Sequence, residues 1–126
     1  MSAEESGEAV AFDRYLEEKR PAVAAIARSL RATVLAWFPD AVETFDPADG
    51  LLAIGRGPSI RQSCFAIIPH SAHVNLQLAD GVDLPNPDGR IEGTGKRVRH
   101  IRIRSEDDAR SVPVRQAIAD QVSARG

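Results

Sequence analysis

Apolar side chains recur at helical spacing in the first third of the chain. One short run covers residues 12–16, and a longer stripe covers residues 23–38. Pro21 suits the first turn of the longer helix because its missing N–H would have no partner there. Pro39 disfavours helical geometry in the residue before it, so that helix ends near residue 38. The pattern predicts two helices in succession.

From residue 41 onward the apolar period changes from that of a helix to that of a strand. Segments of alternating or continuous apolar residues cover positions 42–45, 51–54, 64–68, 73–78 and 98–104. Most connections between them are too short for parallel crossovers, which favours antiparallel pairing. Ser105 and the acids after it predict a helix start, because a serine oxygen caps free N–H groups. Apolar residues at 114, 118 and 122 then predict a last helix.

The order of these elements predicts an α+β fold. We expect a mainly antiparallel sheet of about five strands, with two N-terminal helices and one C-terminal helix packed on it. A length of 126 residues fits one domain, which we place at residues 10–126. Residues 1–9 carry acids among small side chains, with too little apolar surface to offset the entropy of ordering them. We therefore expect a flexible lead-in before the domain.

Charge and composition argue against several functional classes. A formal net charge of -2 does not suit a protein that coats nucleic acid, and few aromatic residues are available to stack on bases. Cys64 is the one cysteine, so no internal disulfide can form. The acidic N-terminus lacks the basic and apolar parts of a signal peptide, and no apolar run has membrane-spanning length. We expect a cytoplasmic protein that has neither nucleic acid nor membrane as its partner.

A row of cations on the last strand is the best candidate for a site. Strand geometry places His100, Arg102 and Arg104 on one face. The same parity places His73, Asn75 and Gln77 on the polar face of an earlier strand, so the two sets converge if these strands pair. Such a surface presents donors to a carboxylate or phosphate. With a further cation from the preceding turn, the candidate ligand-binding residues are His100, Arg102, Arg104, Asn75, Gln77 and Lys96.

The alternative interpretation of this surface is a solvated sheet face without a ligand. In that case its arginines pair with nearby acids, for which Glu43 and Glu92 are the candidates. Both interpretations stay open on the sequence alone.

Two loops resemble ion-binding motifs but lack a necessary part. The GTGK run at 93–96 has the glycines and lysine of a phosphate-binding loop. Arg97 stands where that loop needs Ser or Thr, and a strand follows instead of a helix. The loop at 83–89 has the acids of a calcium site, but Gly95 occupies the position of the closing glutamate. We predict a tight strand entry and a proline-stiffened turn.

Two sets of side chains have the chemistry of metal ligands. Cys64, His70 and His73 are soft enough for zinc, but a fourth ligand is missing. An inert core thiol and two solvated imidazoles explain them as well. The oxygen ligands that iron accepts are available in and before the first helix, from Glu4, Glu5, Glu8, Asp13, Glu17 and Glu18. A solvated helix face explains these acids equally well, so the identity of any metal stays open.

The segment EGTGKRVRHIRIRS at 92–105 also carries a resemblance. Together with WFPDA at 37–41, IPHSAHVNL at 68–76 and LPNPDG at 84–89, it resembles the YdhG-like domains of unknown function, a bacterial family, over nearly the whole chain. Some members are described as frataxin-like intracellular iron chaperones, so the resemblance implies iron as a candidate ligand. Many members carry a tyrosine, glycine, methionine and proline motif after the first strand. This chain reads FDPADG at 45–50 instead.

Three functions therefore compete. The first is a non-enzymatic binding or chaperone-like module for an anionic small molecule or an acidic protein partner. It is favoured because the motifs assemble no nucleophile, base and orienting acid, and we assign no catalytic residue. The second is the frataxin-like iron chaperone, and the third is a small enzyme with His100 as general base. A homodimer is a further expectation, because two-fold association commonly covers an exposed sheet face.

Overall fold

Five strands form one antiparallel sheet in which every strand pairs with its neighbours in sequence. The computed structural model of the protein describes residues 6–125. The strands are β1 Val42–Asp46, β2 Leu51–Gly55, β3 Ser63–Pro69, β4 Val74–Leu78 and β5 Arg99–Ile103. Their order across the sheet is the same as their order along the chain. The predicted antiparallel sheet is confirmed.

Helices precede and follow the sheet, which confirms the predicted α+β class. They are α1 Gly7–Leu16, α2 Pro21–Trp37, the one-turn α3 Glu106–Ala109 and α4 Val112–Arg125. Ser6 caps α1 by accepting a hydrogen bond from the N–H of Ala9 at 3.1 Å. Ordered structure thus begins earlier than residue 10, where we placed the start of the domain. Residues 1–5 of the predicted lead-in lie outside the described residues.

The helices cover one face of the sheet and form the core with it. The buried side chains of that face are Leu52, Ile54, Phe65, Ile67, Val74, Leu76, Leu78, Ile101 and Ile103. Helix α2 buries Ile26, Leu30 and Val34 in the same apolar cluster. The period of two in the strands and the longer period of the helix meet here, so each element presents one apolar side to the other.

We call the other side of the sheet the open face. It is defined by residues of alternate parity to the core positions, namely Thr44, Asp46, Leu51, Ala53, Ala66, Ile68, Asn75, Gln77, His100 and Arg102. Of these, only Ala66 is buried. The centre of the open face is hollow, because the small residues Ala53 and Ala66 lie opposite each other on β2 and β3. A depression of about 220 Å³ lies there, beside residues 57–60.

On both edge strands of the sheet, some of the outward-facing backbone groups already have a hydrogen-bond partner. On β1, the backbone N–H of Phe45 donates to the Glu8 carboxylate of α1 at 2.8 Å. On β5, His100 exchanges two backbone hydrogen bonds with Glu92, at 2.8 and 2.9 Å. A tight turn leads from Glu92 into β5 and requires glycine, because Gly93 has a φ of 125°. The GTGK run is therefore a strand entry, as predicted.

Candidate functional site

Strands β4 and β5 bring the predicted site residues together. Gln77 lies opposite His100 and Asn75 lies opposite Arg102 in the antiparallel register. Directly opposite side chains of an antiparallel pair lie on the same face, about 4.5–5.5 Å apart at their Cβ atoms. The pairing on which the predicted convergence depends is therefore present, and four of the six candidate residues form one cluster on the open face.

The turn between β3 and β4 adds two histidines to this cluster. The rings of His70 and His73 stack with their centroids 4.7 Å apart, and a ring nitrogen of His70 lies 3.3 Å from the amide nitrogen of Asn75. The pKa of His73 is lowered, first by burial and then by positive charge nearby. The charges that lower it belong to His70, Arg102, Arg104 and His100. We call His70, His73, His100, Arg102 and Arg104 the cationic corner.

Asn75 lies at the centre of the cationic corner and has an unused polar atom. Its Oδ1 is the one buried side-chain oxygen or nitrogen without a hydrogen-bond partner among the described residues. Buried amide oxygens nearly always accept a hydrogen bond. The His70 ring nitrogen can donate or accept according to its tautomer, so a half-turn of the amide would place the NH₂ group at the unused position. In either orientation, one polar group of Asn75 has no hydrogen-bond partner among the described residues.

Glu92 is the acid closest to the cationic corner. Its Oε1 lies 3.5 Å from Nε2 of His100 and 3.9 Å from a guanidinium nitrogen of Arg102. These are long contacts between half-exposed groups, which contribute little energy. The alternative pairing with Glu43 is wrong, because both oxygens of Glu43 accept hydrogen bonds from Arg31 of α2, at 2.5 and 2.8 Å.

The remaining two predicted residues differ in position. Arg104 follows β5 directly and acts on the pKa of His73, so it belongs to the cationic corner. Lys96 is exposed in the turn before β5. Within residues 6–125 no hydrogen bond or ion pair joins Lys96 to His100 or Arg102, so the structure does not bring Lys96 into the cluster.

A second charged group lies at the other end of the sheet and was not foreseen from the sequence. The buried carboxylate of Asp80 accepts hydrogen bonds from Arg125 at 2.6 Å, from Gln121 at 2.8 Å and from Arg97. Chiefly through the hydrogen bond from Arg125, and against the effect of burial, the pKa of Asp80 falls to about 2. These residues are up to 45 positions apart in the chain, so no local spacing could reveal them.

The predicted metal ligands serve other contacts. Cys64 is buried in the core, and burial raises the pKa of its thiol, which leaves it protonated and unreactive. Glu8 binds the backbone of β1, and Asp13 pairs with Arg28 at 2.6 Å. Across residues 6–125, no three His, Cys, Asp or Glu side chains are grouped so that they could hold a metal ion. The acids Glu4 and Glu5 lie outside that range.

A separate cavity of about 250 Å³ lies between the proline-rich loop and α4. Its walls include Pro85, Ile91, Ile101 and Val112, and its rim includes Arg90. The Arg90 guanidinium donates to both oxygens of Asp108, at 2.8 and 2.7 Å. None of the predicted site residues lines this cavity.

Comparison with known proteins assigns neither a family nor a function to this chain. No helix within residues 6–125 combines the length and the apolar character needed to cross a membrane. The chain matches no protein-family model, no curated protein and no solved structure. The interpretation of the cationic corner therefore depends on its own geometry.

Proposed function

We propose that the protein is a non-enzymatic binding module whose open face binds a small molecule that carries a carboxylate or phosphate group. The observation that carries this proposal is the cationic corner around Asn75. Five side chains that can carry positive charge lie around an amide with an unpartnered polar atom, and among the described residues Glu92 is the one acid in ion-pair contact with any of them.

The residues of the cationic corner and their neighbours on β4 would make different contacts with the anion. Arg102 can donate two parallel hydrogen bonds to an oxyanion, which is the strongest polar contact available at such a surface. Asn75 and Gln77 can add amide donors from the neighbouring strand. His100 and His73 add positive charge when they are protonated, and Arg104 supplies a fixed charge at the end of β5.

Binding of an anion at this surface must depend on pH. In the free protein the pKa of His73 is lowered by burial and by the surrounding cations. A bound anion offsets that repulsion and raises the pKa again, so protonation and binding favour each other. We therefore expect the affinity for phosphate to increase as the pH falls and His73 becomes protonated.

The proposal can be tested by calorimetric titration with inorganic phosphate and with citrate as probes. Arg102→Gln should weaken binding by about tenfold or more, because a charge-assisted hydrogen bond contributes about 1.5–3 kcal/mol. Arg115→Gln is the matched control, since Arg115 is an exposed arginine on α4, which packs against the core face of the sheet and not the open face. The control should bind as the unchanged protein does.

Two results would contradict the proposal. One is the absence of binding by either probe at millimolar concentration. The other is equal affinity in Arg102→Gln and the unchanged protein, which would make any binding non-specific. Thermal unfolding of each variant shows that the fold is intact before binding is compared. The resemblance to YdhG-like domains is the sole support for the iron-chaperone alternative, and no grouping of the described side chains adds to it.

A further inference from the structure

Charge is separated across the open face. The edge formed by β1 and its turn carries Asp46 and Asp49, which line the depression on that face. The opposite edge, formed by β5, carries the cationic corner. Between them lie small or half-buried apolar residues, Leu51, Ala53 and Ile68 among them. The open face is therefore acidic at one edge, apolar in the middle and basic at the other edge.

Asp46 and Arg102 lie at the same level along the strand direction, although they belong to opposite edges of the sheet. Asp46 pairs with Leu51, and Asn75 pairs with both Ile68 and Arg102. Because Leu52 pairs with Ile67, Leu51 and Ile68 also lie opposite each other. One row of side chains thus crosses the sheet from Asp46 to Arg102, over four strand spacings or about 19 Å.

We propose that two copies of this chain associate through their open faces, with Asp46 of each copy bound to Arg102 of the other. The two-fold axis runs parallel to the strands and lies above β3, on the open side of the sheet. Rotation about this axis places β1 of one copy over β5 of the second. It also preserves the level along the strands, so each Asp46 faces an Arg102. A two-fold axis across the strands would instead place β1 over β1 and bring acids together.

The shapes of the two surfaces permit this arrangement. Sheets with the same twist stack about 10 Å apart with their strands about 30° from parallel. Ala53 and Ala66 leave room at the centre of each face. Ile68 lies on the central strand, next to the axis. Ile60, in the loop between β2 and β3, is 90% exposed and lines the depression of the open face, so it adds apolar surface there.

Asp46 is prepared for such a contact. Its Oδ1 accepts the backbone N–H groups of Ala48 and Asp49, at 3.0 and 3.1 Å, so the side chain is held in one orientation. Among residues 6–125 no donor is bonded to the second oxygen, so its lone pairs are available to a donor from another molecule. Asp49 adds a second exposed negative charge on the same turn.

The size of the face predicts a weak dimer that a ligand can dissociate. Four strands of five residues and one of seven present about 400 Å² per copy, well below the roughly 800 Å² per partner of a standard interface. The inference rests on the proposed function in one respect, that Arg102 takes a carboxylate from outside its own chain. An anionic ligand and Asp46 of the second copy would then compete for Arg102, so binding and association oppose each other.

Charge exchange tests this geometry by sedimentation at protein concentrations up to the millimolar range. Asp46→Arg and Arg102→Asp should each weaken association by about tenfold or more, because each places like charges together. The double variant should recover an affinity within about threefold of the unchanged protein, since the pair is restored in reverse. Asp46→Asn is the second test, because it keeps an oxygen for Ala48 and Asp49 and so should fold in any case.

Phosphate separates this inference from the proposed function. Phosphate should dissociate the dimer, whereas chloride at equal ionic strength should dissociate it less. Asp46→Asn should lose association but keep phosphate binding, whereas Arg102→Gln should lose both. A monomer at every concentration, or a dimer indifferent to Asp46→Asn and to the charge exchange, would overturn the inference while phosphate binding by the monomer upholds the proposed function. A dimer with the expected charge dependence but without phosphate binding would remove the small-molecule function alone.

Discussion

Arg97 and Arg102 lie five positions apart in one segment, yet they belong to groups with opposite properties. Arg97 joins the Asp80 group, in which a single carboxylate receives donors from three side chains. Arg102 belongs to the cationic corner, in which two of the five side chains, His100 and Arg102, make long contacts with the Glu92 carboxylate. Arg97 is the more exposed of the two, at 62% against 44%. Exposure therefore does not separate a structural arginine from one available for binding, whereas the nearest acceptor does.

The largest expected effect is the loss of the Asp80 carboxylate. Asp80→Ala leaves Gln121, Arg125 and Arg97 without their common acceptor and should cost about 3–5 kcal/mol of unfolding free energy. Urea denaturation measures this. Asp46→Ala removes an exposed carboxylate and is the control from the open face, with an expected cost of about 1 kcal/mol. Equal losses in the two variants would remove the distinction between the groups.

The Asp80 group should also make the free energy of unfolding depend on pH in the acid range. The pKa of Asp80 is about 2 in the folded protein, below the ordinary value of 3.8. A lowered pKa gives stability that is present above the ordinary value and is lost as the pH falls from about 4 through 2. The loss should be about 2 kcal/mol for this carboxylate. Denaturation of Asp80→Asn over the same pH range should show a smaller dependence, and an unchanged slope would contradict this assignment.

The two arginines should differ in the direction opposite to their exposure. Arg97→Ala should cost about 1 kcal/mol, because it removes a hydrogen bond to a buried carboxylate. Arg102→Ala should change stability by about 0.5 kcal/mol or less, since its contact with Glu92 is long and solvated. Thermal unfolding compares the two directly. A larger loss for Arg102 would show that the open face, too, is held by its ion pairs.

The smallest effect concerns the pKa of His73. Because positive charge from Arg102 contributes to lowering that pKa, Arg102→Gln should raise it, and so should saturation with phosphate. NMR titration of the histidine ring protons measures both. His70, which stacks on His73, is an internal comparison in the same spectrum. No change on loss of Arg102 would mean that the corner is more dispersed than its geometry indicates.

The fold was predictable because its signal is local. Periods of two and of about 3.6 decide strand and helix within a few residues, and short connections force neighbouring strands to pair. The same rule placed Asn75 and Gln77 against His100 and Arg102 once β4 and β5 were known to be adjacent. Register followed from the apolar parity, since a one-residue slip would turn Leu76 out of the core.

The rest of the charged chemistry could not be predicted, because it depends on contacts between distant residues. Asp80 contacts Arg125 only when α4 has packed across the sheet. The local sequence around either residue therefore does not indicate the ion pair. His70 has the chemistry of a zinc ligand, and only the fold shows that it stacks on His73 beside Arg102 and Arg104. The type of a side chain limits the interactions that it can make, but its neighbours in the folded protein determine which of those interactions form.

The Glu8 contact on β1 has a consequence for assembly. The N–H of Phe45 points away from the sheet, and an unpaired N–H of this kind is what another molecule's strand needs in order to extend a sheet. The Glu8 carboxylate accepts from it, and on the opposite border the backbone of Glu92 pairs with the backbone N–H and C=O of His100. Addition of strands side by side can repeat without limit and leads to fibres, whereas stacking about a two-fold axis stops at two molecules. The contacts at Phe45 and His100 thus oppose strand addition at both borders of the sheet, and neither of them covers the open face.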